Sequence, residues 1–218
     1  MKSIPEGFEY SDAAESAFQA RANKSIKKLQ KMMDADPNLK ESVQAIIDKA
    51  ESQGTNKIKV IFLDCDGVLN SIKFMQYCYD NGIDPDDRID PKAVALLNEL
   101  VKNTGAKIVI SSCWRLPFVD DNNLDGLKDI LVTKNGISDN IIGMTPDGFV
   151  TNCRKIRGDE IQQWLDDCGY EIESFVIIDD DSDMSHLWKF LVKTSVQTGL
   201  QRQHIIDAEI ILNKGIHK

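Results

Sequence analysis

Three short apolar runs punctuate the chain, and each stops abruptly at polar side chains. Val60-Ile-Phe-Leu63 meets Asp64-Cys-Asp66-Gly67, Ile108-Val-Ile110 meets Ser111-Ser112, and Phe175-Val-Ile-Ile178 meets Asp179-Asp180 and an acidic cluster reaching Asp183. Their β-branched and aromatic residues continue without polar interruption, which suits strands buried on both faces. Helical periodicity lies between them. Asp90 reads as an N-cap with Pro91 at the first helical position, Val94, Leu97, Leu100 and Val101 form one face, and Gly105 ends the helix. Arg157-Gly-Asp-Glu-Ile161 opens another amphipathic stretch through Trp164 and Leu165, so a basic side chain stands at a helix N-terminus. Strands alternating with helices predict an α/β domain around a parallel sheet. In such sheets the groups at the carboxyl ends of the strands gather at one edge, where ligands bind.

Residues 9 to 52 predict two amphipathic helices. Phe18, Ala22, Ile26, Leu29 and Met33 fall on one face, and Leu39, Val43, Ile46, Ile47 and Ala50 on another. Asp34-Ala-Asp-Pro-Asn38 separates them, because proline ends a helix and the acids and amide favour caps. Ser52-Gln-Gly-Thr-Asn56 reads as a linker. The expected organisation is a helical hairpin and linker over residues 1–56 and an α/β domain over 57–218. Two intervals could carry insertions. Ser71 to Asp90 holds the aromatics Phe74, Tyr77 and Tyr79, and Leu116 to Phe149 holds one helix ahead of an Ile141 to Val150 hairpin. Both are too short for a further folded domain.

At 218 residues the chain can bury the core of one α/β domain with an appendage. The formal charge of −9 argues against a protein that coats nucleic acid, since Lys and Arg neutralising phosphates supply most of that affinity. It leaves room for a locally cationic site. No stretch is apolar enough to cross a membrane, and Met1-Lys-Ser-Ile-Pro-Glu6 lacks a signal-peptide core, so a soluble, cytoplasmic protein without a membrane partner is expected. Five cysteines without CxxC or zinc spacing read as reduced structural thiols, and the carboxylates beside Cys65 suppress its thiolate. The three histidines have no metal spacing, and no Gly-x4-Gly-Lys-Ser/Thr is present.

The candidate chemistry sits at the strand ends. Asp64 and Asp66 repel when close, so a site containing both must share a proton or hold a cation. Asp64-Cys-Asp66-Gly-Val68, Ser111, the basic residue near 157 and Asp179-Asp180 together resemble, in order, the four motifs of the haloacid dehalogenase (HAD) superfamily, over about residues 57 to 200. Ser111-Ser-Cys-Trp-Arg115, Thr145-Pro146 and Arg157-Gly-Asp-Glu-Ile161 with Trp164-Leu165 are similar, more narrowly, to HAD phosphatase domains associated with RNA-repair proteins.

The resemblance implies a Rossmann-like parallel sheet of the HAD type, capless or with a minimal cap, carrying a phosphoric monoester hydrolase. Asp64 would be the nucleophile and Asp66 the proton shuttle, with Mg²⁺ among Asp64, the Asp66 carbonyl and Asp180, and Asp179 and Asp183 beside that cation. Ser111 would donate to a phosphoryl oxygen, with Ser112 its neighbour or a turn hydroxyl. The third motif departs from the usual lysine, so Arg157 or Lys155 would supply its cation. Arg115 would contact substrate or stack structurally against Trp114. The presence of Asp66 favours phosphate esters over halides. The expected substrate is a nucleotide or nucleic-acid end. A small-metabolite monophosphate is the runner-up, and a noncatalytic scaffold acting through the N-terminal helices is the alternative of another class.

Overall fold

The computed structural model describes residues 57–83, 89–147, 149–150, 153–154 and 156–214, together with residues 36, 39 and 40. Apart from those last three positions, the expected N-terminal hairpin lies outside the described residues, as does Lys155.

In chain order the elements are β1 (Ile58–Leu63), α1 (Ile72–Asp80), α2 (Pro91–Thr104), β2 (Lys107–Ile110), a 3-10 turn (Cys113–Arg115), α3 (Leu116–Val119) and α4 (Leu124–Lys128) running into a π-helical stretch (Asp129–Lys134). There follow β3 (Ile141–Met144), β4 (Phe149–Val150), β5 (Cys153–Arg154), α5 (Arg157–Asp167), β6 (Ile172–Asp179), a 3-10 stretch (Ser185–Phe190), β7 (Leu191–Lys193) and α6 (Arg202–Lys214). The sheet order is β3-β2-β1-β6-β7, every pairing parallel. This is a Rossmann-like α/β fold consistent with the HAD architecture.

Period two along β1 explains the layering. Ile61 and Leu63 pack with Leu97, Leu100 and Val101 of α2 and with Ile205, Ala208 and Leu212 of α6. Val60 and Phe62 point the other way, toward Ile161 and Trp164 of α5 and toward Leu187. Phe62 meets Trp164 edge-on at 5.4 Å and Phe175 at 5.8 Å between ring centroids, so the central strand is buried on both faces. The α2 caps match their residues: Asp90 accepts from the Lys92 N–H at 2.8 Å, Pro91 needs no donor partner there, and Gly105 closes the helix at φ 68°.

One expectation needs correction. Ile141–Met144 is not the first arm of a hairpin ending at Val150; it pairs parallel with β2, while Phe149–Val150 pairs antiparallel with Cys153–Arg154. The apolar run gains more by extending the buried sheet, and Pro146, with no N–H to donate, ends it. Between β1 and α2 the described residues form α1 and turns, and between β2 and β3 they form short helical turns, so neither interval carries a separate domain among the described residues. No helix of the described residues is long and apolar enough to cross a membrane.

Register brings the chemistry together. Leu63 pairs with Ile110 on one side and Ile178 on the other, so Asp64, Ser111 and Asp179 leave the sheet at one level. Backbone bonds continue the ladder just past that level: Asp64 N–H donates to Ile178 O at 3.0 Å, Ser111 N–H to Leu63 O at 2.9 Å, and Thr194 N–H to Asp179 O at 2.9 Å.

Candidate active site

Asp64, Asp179 and Asp180 present carboxylate oxygens that all lie within 4.8 Å of one another at this sheet edge. Asp64 and Asp179 are buried and Asp180 half-buried. Gly67 is the reason Asp180 can approach: a Cβ there would stand 2.4 Å from the Asp180 Cγ, and its φ of 72° is one that side chains rarely adopt. The turn and the acidic cluster are therefore fitted to each other.

Arg157 supplies the counter-charge. Its Nη1 donates to Asp64 Oδ1 at 2.9 Å, lies 3.4 Å from Asp179 Oδ2, and also bonds the Ser111 carbonyl. Two features of the α5 N-terminus aim it. The Arg157 N–H donates to Asp183 Oδ2 and the Gly158 N–H to the Asp183 carbonyl, both at 3.1 Å, so Asp183 caps the helix. A Cβ on Gly158 would lie 2.2 Å from the Met184 carbonyl oxygen, so only glycine lets the helix sit this close. Of the two candidate third-motif cations, Arg157 stands at Asp64, and Lys155 lies outside the described residues.

One guanidinium does not balance three carboxylates. Burial pushes Asp64 above the usual carboxylate range, although Arg157 and a hydrogen bond from Ser112 oppose it. Burial and the neighbouring Asp64 push Asp179 up to about 7 against the pull of Arg157. Burial also raises Asp180. Burial alone would lower Arg157, but Asp179 and Asp64 outweigh it and raise it. The excess negative charge and the Asp179 Oδ2, buried without a hydrogen-bond donor, suit a hard divalent cation with all-oxygen ligation. Asp179 accordingly stands in the cluster itself with Asp64 and Asp180, whereas Asp183 serves the helix cap.

Asp66 is exposed and is not one of this cluster's three carboxylates, although its charge acts on Asp64 and Asp180. Asn70 Nδ2 donates to its Oδ1 at 2.7 Å and Trp114 Nε1 to its Oδ2 at 3.0 Å. Asn70 Oδ1 also accepts the Gly67 N–H at 2.9 Å, tying the carboxylate to its own turn. Ser112, of the two serines, is the one whose hydroxyl helps hold the Asp64 pKa down, and its Oγ accepts the Trp114 N–H at 3.3 Å. The Ser111 Oγ is buried without a partner, as is the Thr145 Oγ1, while the Ser111 carbonyl binds Arg157.

Arg115 departs from its expected place at the substrate. It is 2 % exposed, and its five N–H groups are consumed: Nε bonds Thr145 O at 2.8 Å, Nη1 bonds Ser111 O at 2.8 Å and Ser112 O at 2.9 Å, and Nη2 bonds Pro146 O at 3.0 Å and Glu160 Oε2 at 2.7 Å. It does not stack as a surface residue either; it clamps the ends of β2 and β3 to α5. Cys65 is fully buried, and burial and Asp64 drive its thiol pKa up, against a nucleophilic role. His186 pairs with Gln162 on the surface and His204 accepts from the Gln201 N–H, both apart from the cluster.

Asn70, Trp114, Glu160 and Gly158 were not singled out as site residues by the sequence. Asn70, four residues after Asp66 in a glycine turn, carried a readable signal, since an amide there can bond the turn backbone. Trp114 reaches Asp66 across 48 residues of sequence and carried none.

Acidic side chains at the ends of β1 and β6, with a basic side chain from the α5 N-terminus, fit a domain of the HAD superfamily. The chain belongs to the family described as the HAD domain in Swiss Army Knife RNA repair proteins, whose model matches residues 60–205. No curated protein matches the chain.

Proposed function

We propose that the protein is a Mg²⁺-dependent phosphatase that hydrolyses a phosphomonoester through an aspartyl-phosphate at Asp64. The observation that carries this reading is the convergence of Asp64, Asp179, Asp180 and Arg157 at one sheet edge, with Asp66 two residues along the turn. Asp64, Asp179 and Asp180 would hold the cation, which supplies the charge neutralisation that lets an anionic carboxylate approach an anionic phosphate.

In the first half, an Asp64 oxygen attacks phosphorus in line. The bond to the leaving oxygen breaks, and Asp66 gives that oxygen its proton. Arg157 exchanges its contact with Asp64 for the nonbridging oxygens, which it grips better than a point charge could. Ser112 orients Asp64, and Ser111, whose hydroxyl has no other partner, donates to the phosphoryl group. In the second half, Asp66 takes a proton from water, which attacks phosphorus and releases phosphate and free Asp64.

The substrate is a nucleotide or a nucleic-acid end. The family description favours this class over small metabolite monophosphates. The absence of a separate cap domain among the described residues also favours it, because an open site admits a polymer end. The test is Mg²⁺-dependent phosphate release from an aryl phosphate by wild type and Asp64→Asn. Loss of at least about three orders of magnitude is expected for removing a nucleophile, and undiminished release sinks the mechanism.

A further inference from the structure

A groove beside Asp66 has no role in the chemistry above. Its volume is about 510 Å³, and it is lined by Asp66, by Ile72, Met75, Gln76 and Tyr79 of α1, and by Val196, among others. The four α1 residues recur at i, i+3, i+4 and i+7, the stripe that a helix ordinarily turns to the core. Here it is open: Ile72 is 51 % and Tyr79 83 % exposed, and Cys78 is the helix's only buried residue. The Ser71 hydroxyl caps the helix by accepting the Phe74 N–H at 3.1 Å, and the Ile72 N–H donates to Val196 O at 2.9 Å, so the stripe is fixed at the mouth of the site.

We infer that this groove receives the nucleoside bonded to the leaving oxygen, with its base against Tyr79. The inference rests on the phosphatase reading and adds the part of the substrate that is recognised. Three observations support it. Asp66, the proton donor to the leaving oxygen, is itself a wall of the groove, so whatever carries that oxygen must enter there. From Ile72 to Tyr79 the stripe runs about 10 Å at 1.5 Å per residue, longer than a triol phosphate needs and enough for a sugar and a base. Among the described residues the lining mixes an aromatic ring, aliphatic side chains and the Gln76 amide and contains no Lys or Arg, so it suits an uncharged, flat group and offers these residues' chemistry to no further phosphate. Recognition therefore stops at one nucleoside. Stacking on a tyrosine tolerates any base, and preference among bases is small.

The experiment compares kcat/KM for 3′- and 5′-nucleoside monophosphates, ribose 5-phosphate and glycerol phosphate in wild type, Tyr79→Ala and Tyr77→Ala. Tyr77 is an exposed tyrosine on the same helix that does not line the groove. In wild type, one of the two nucleotide series should exceed the base-free phosphates by about 10- to 100-fold, the effect of one stacked base. Tyr79→Ala should collapse that ratio and Tyr77→Ala should keep it. Extending the substrate to a longer oligonucleotide, or raising the salt, should change kcat/KM by less than about threefold, since no further phosphates are bound. Equal rates with and without the base overturn the inference, as does an equal loss in both tyrosine variants.

A second readout is independent of turnover. The chain has four tyrosines, so ring-labelled tyrosine spectra are simple enough to follow in a titration without Mg²⁺. A nucleoside monophosphate should shift one resonance that Tyr79→Ala removes, and ribose 5-phosphate should not. If no phosphate at all is released from any substrate, including an aryl phosphate, the phosphatase reading fails while this titration still decides the groove. An unshifted Tyr79 overturns the groove alone.

Discussion

Replacing Arg115 separates a clamp from a substrate contact. Its guanidinium satisfies four main-chain carbonyls, three of them in buried contacts, and the Glu160 carboxylate. Lysine offers its donors from a single nitrogen and cannot span groups arrayed around a planar fork, so Arg115→Lys leaves at least two buried acceptors unpaired. At about 1–3 kcal/mol for each orphaned group, the loss is about 2–6 kcal/mol. Arg115→Ala also strands Glu160, and breaking a buried pair costs about 3–5 kcal/mol by itself. For a domain of this size each kcal/mol lowers Tm by about 2–4 °C, so loss of the pair alone lowers Tm by about 6–20 °C in Arg115→Ala, and the orphaned carbonyls add to it. The assay is urea unfolding in EDTA, together with steady-state kinetics. Because the clamp holds the Ser111 and Ser112 carbonyls, kcat should fall with stability. An Arg115→Ala protein within about 0.5 kcal/mol of wild type, but with a raised KM, would refute the clamp and restore a substrate-binding role.

Other outcomes follow from the same contacts. Gly67→Ala drives a Cβ against the Asp180 carboxylate at 2.4 Å and strains a φ of 72°, so the Mg²⁺ concentration for half-maximal activity should rise at least about tenfold, read by a metal titration. Asp179 has a folded pKa of about 7, raised from 3.8 by burial and then by Asp64. Its contribution to stability is complete below the unfolded value and is lost as pH rises through the folded one, so in EDTA Tm should fall between about pH 4 and 7 and level off above that. Mg²⁺ should reverse that fall and Asp179→Asn should flatten it, both seen by thermal melts. Trp114→Phe removes the donor to Asp66 at 3.0 Å while keeping a half-buried ring, so kcat should drop by up to about tenfold with a Tm change of only a few degrees.

The sheet was legible because its apolar runs are uninterrupted and end abruptly. Val60 to Leu63 and Phe175 to Ile178 cannot be surface segments, and the polar groups that follow them then share an edge. The α2 caps were legible because Asp, Pro and Gly act locally. The short β7 and the helix α6 were not, since Leu191–Lys193 is a strand only by pairing with β6 and α6 has a weakly patterned face. Within the site, Asp64 and Asp180 could be placed from strand ends alone. Whether Arg115 faces ligand or protein could not, because the answer lies in carbonyls of Thr145 and Pro146 some thirty residues away. The choice between Ser111 and Ser112 turns on the direction of the first residue beyond a strand, where alternation no longer constrains it.

The measurement that bears most directly on the account is the mass of the Asp66→Asn protein after acid quenching of its reaction with an aryl phosphate and Mg²⁺. Without Asp66 to activate water, the account expects the mass of one phosphoryl group on the peptide that contains Asp64, absent from the Asp64→Asn/Asp66→Asn double variant. Phosphate release by wild type with no such adduct, or an adduct on a peptide lacking Asp64, would contradict it.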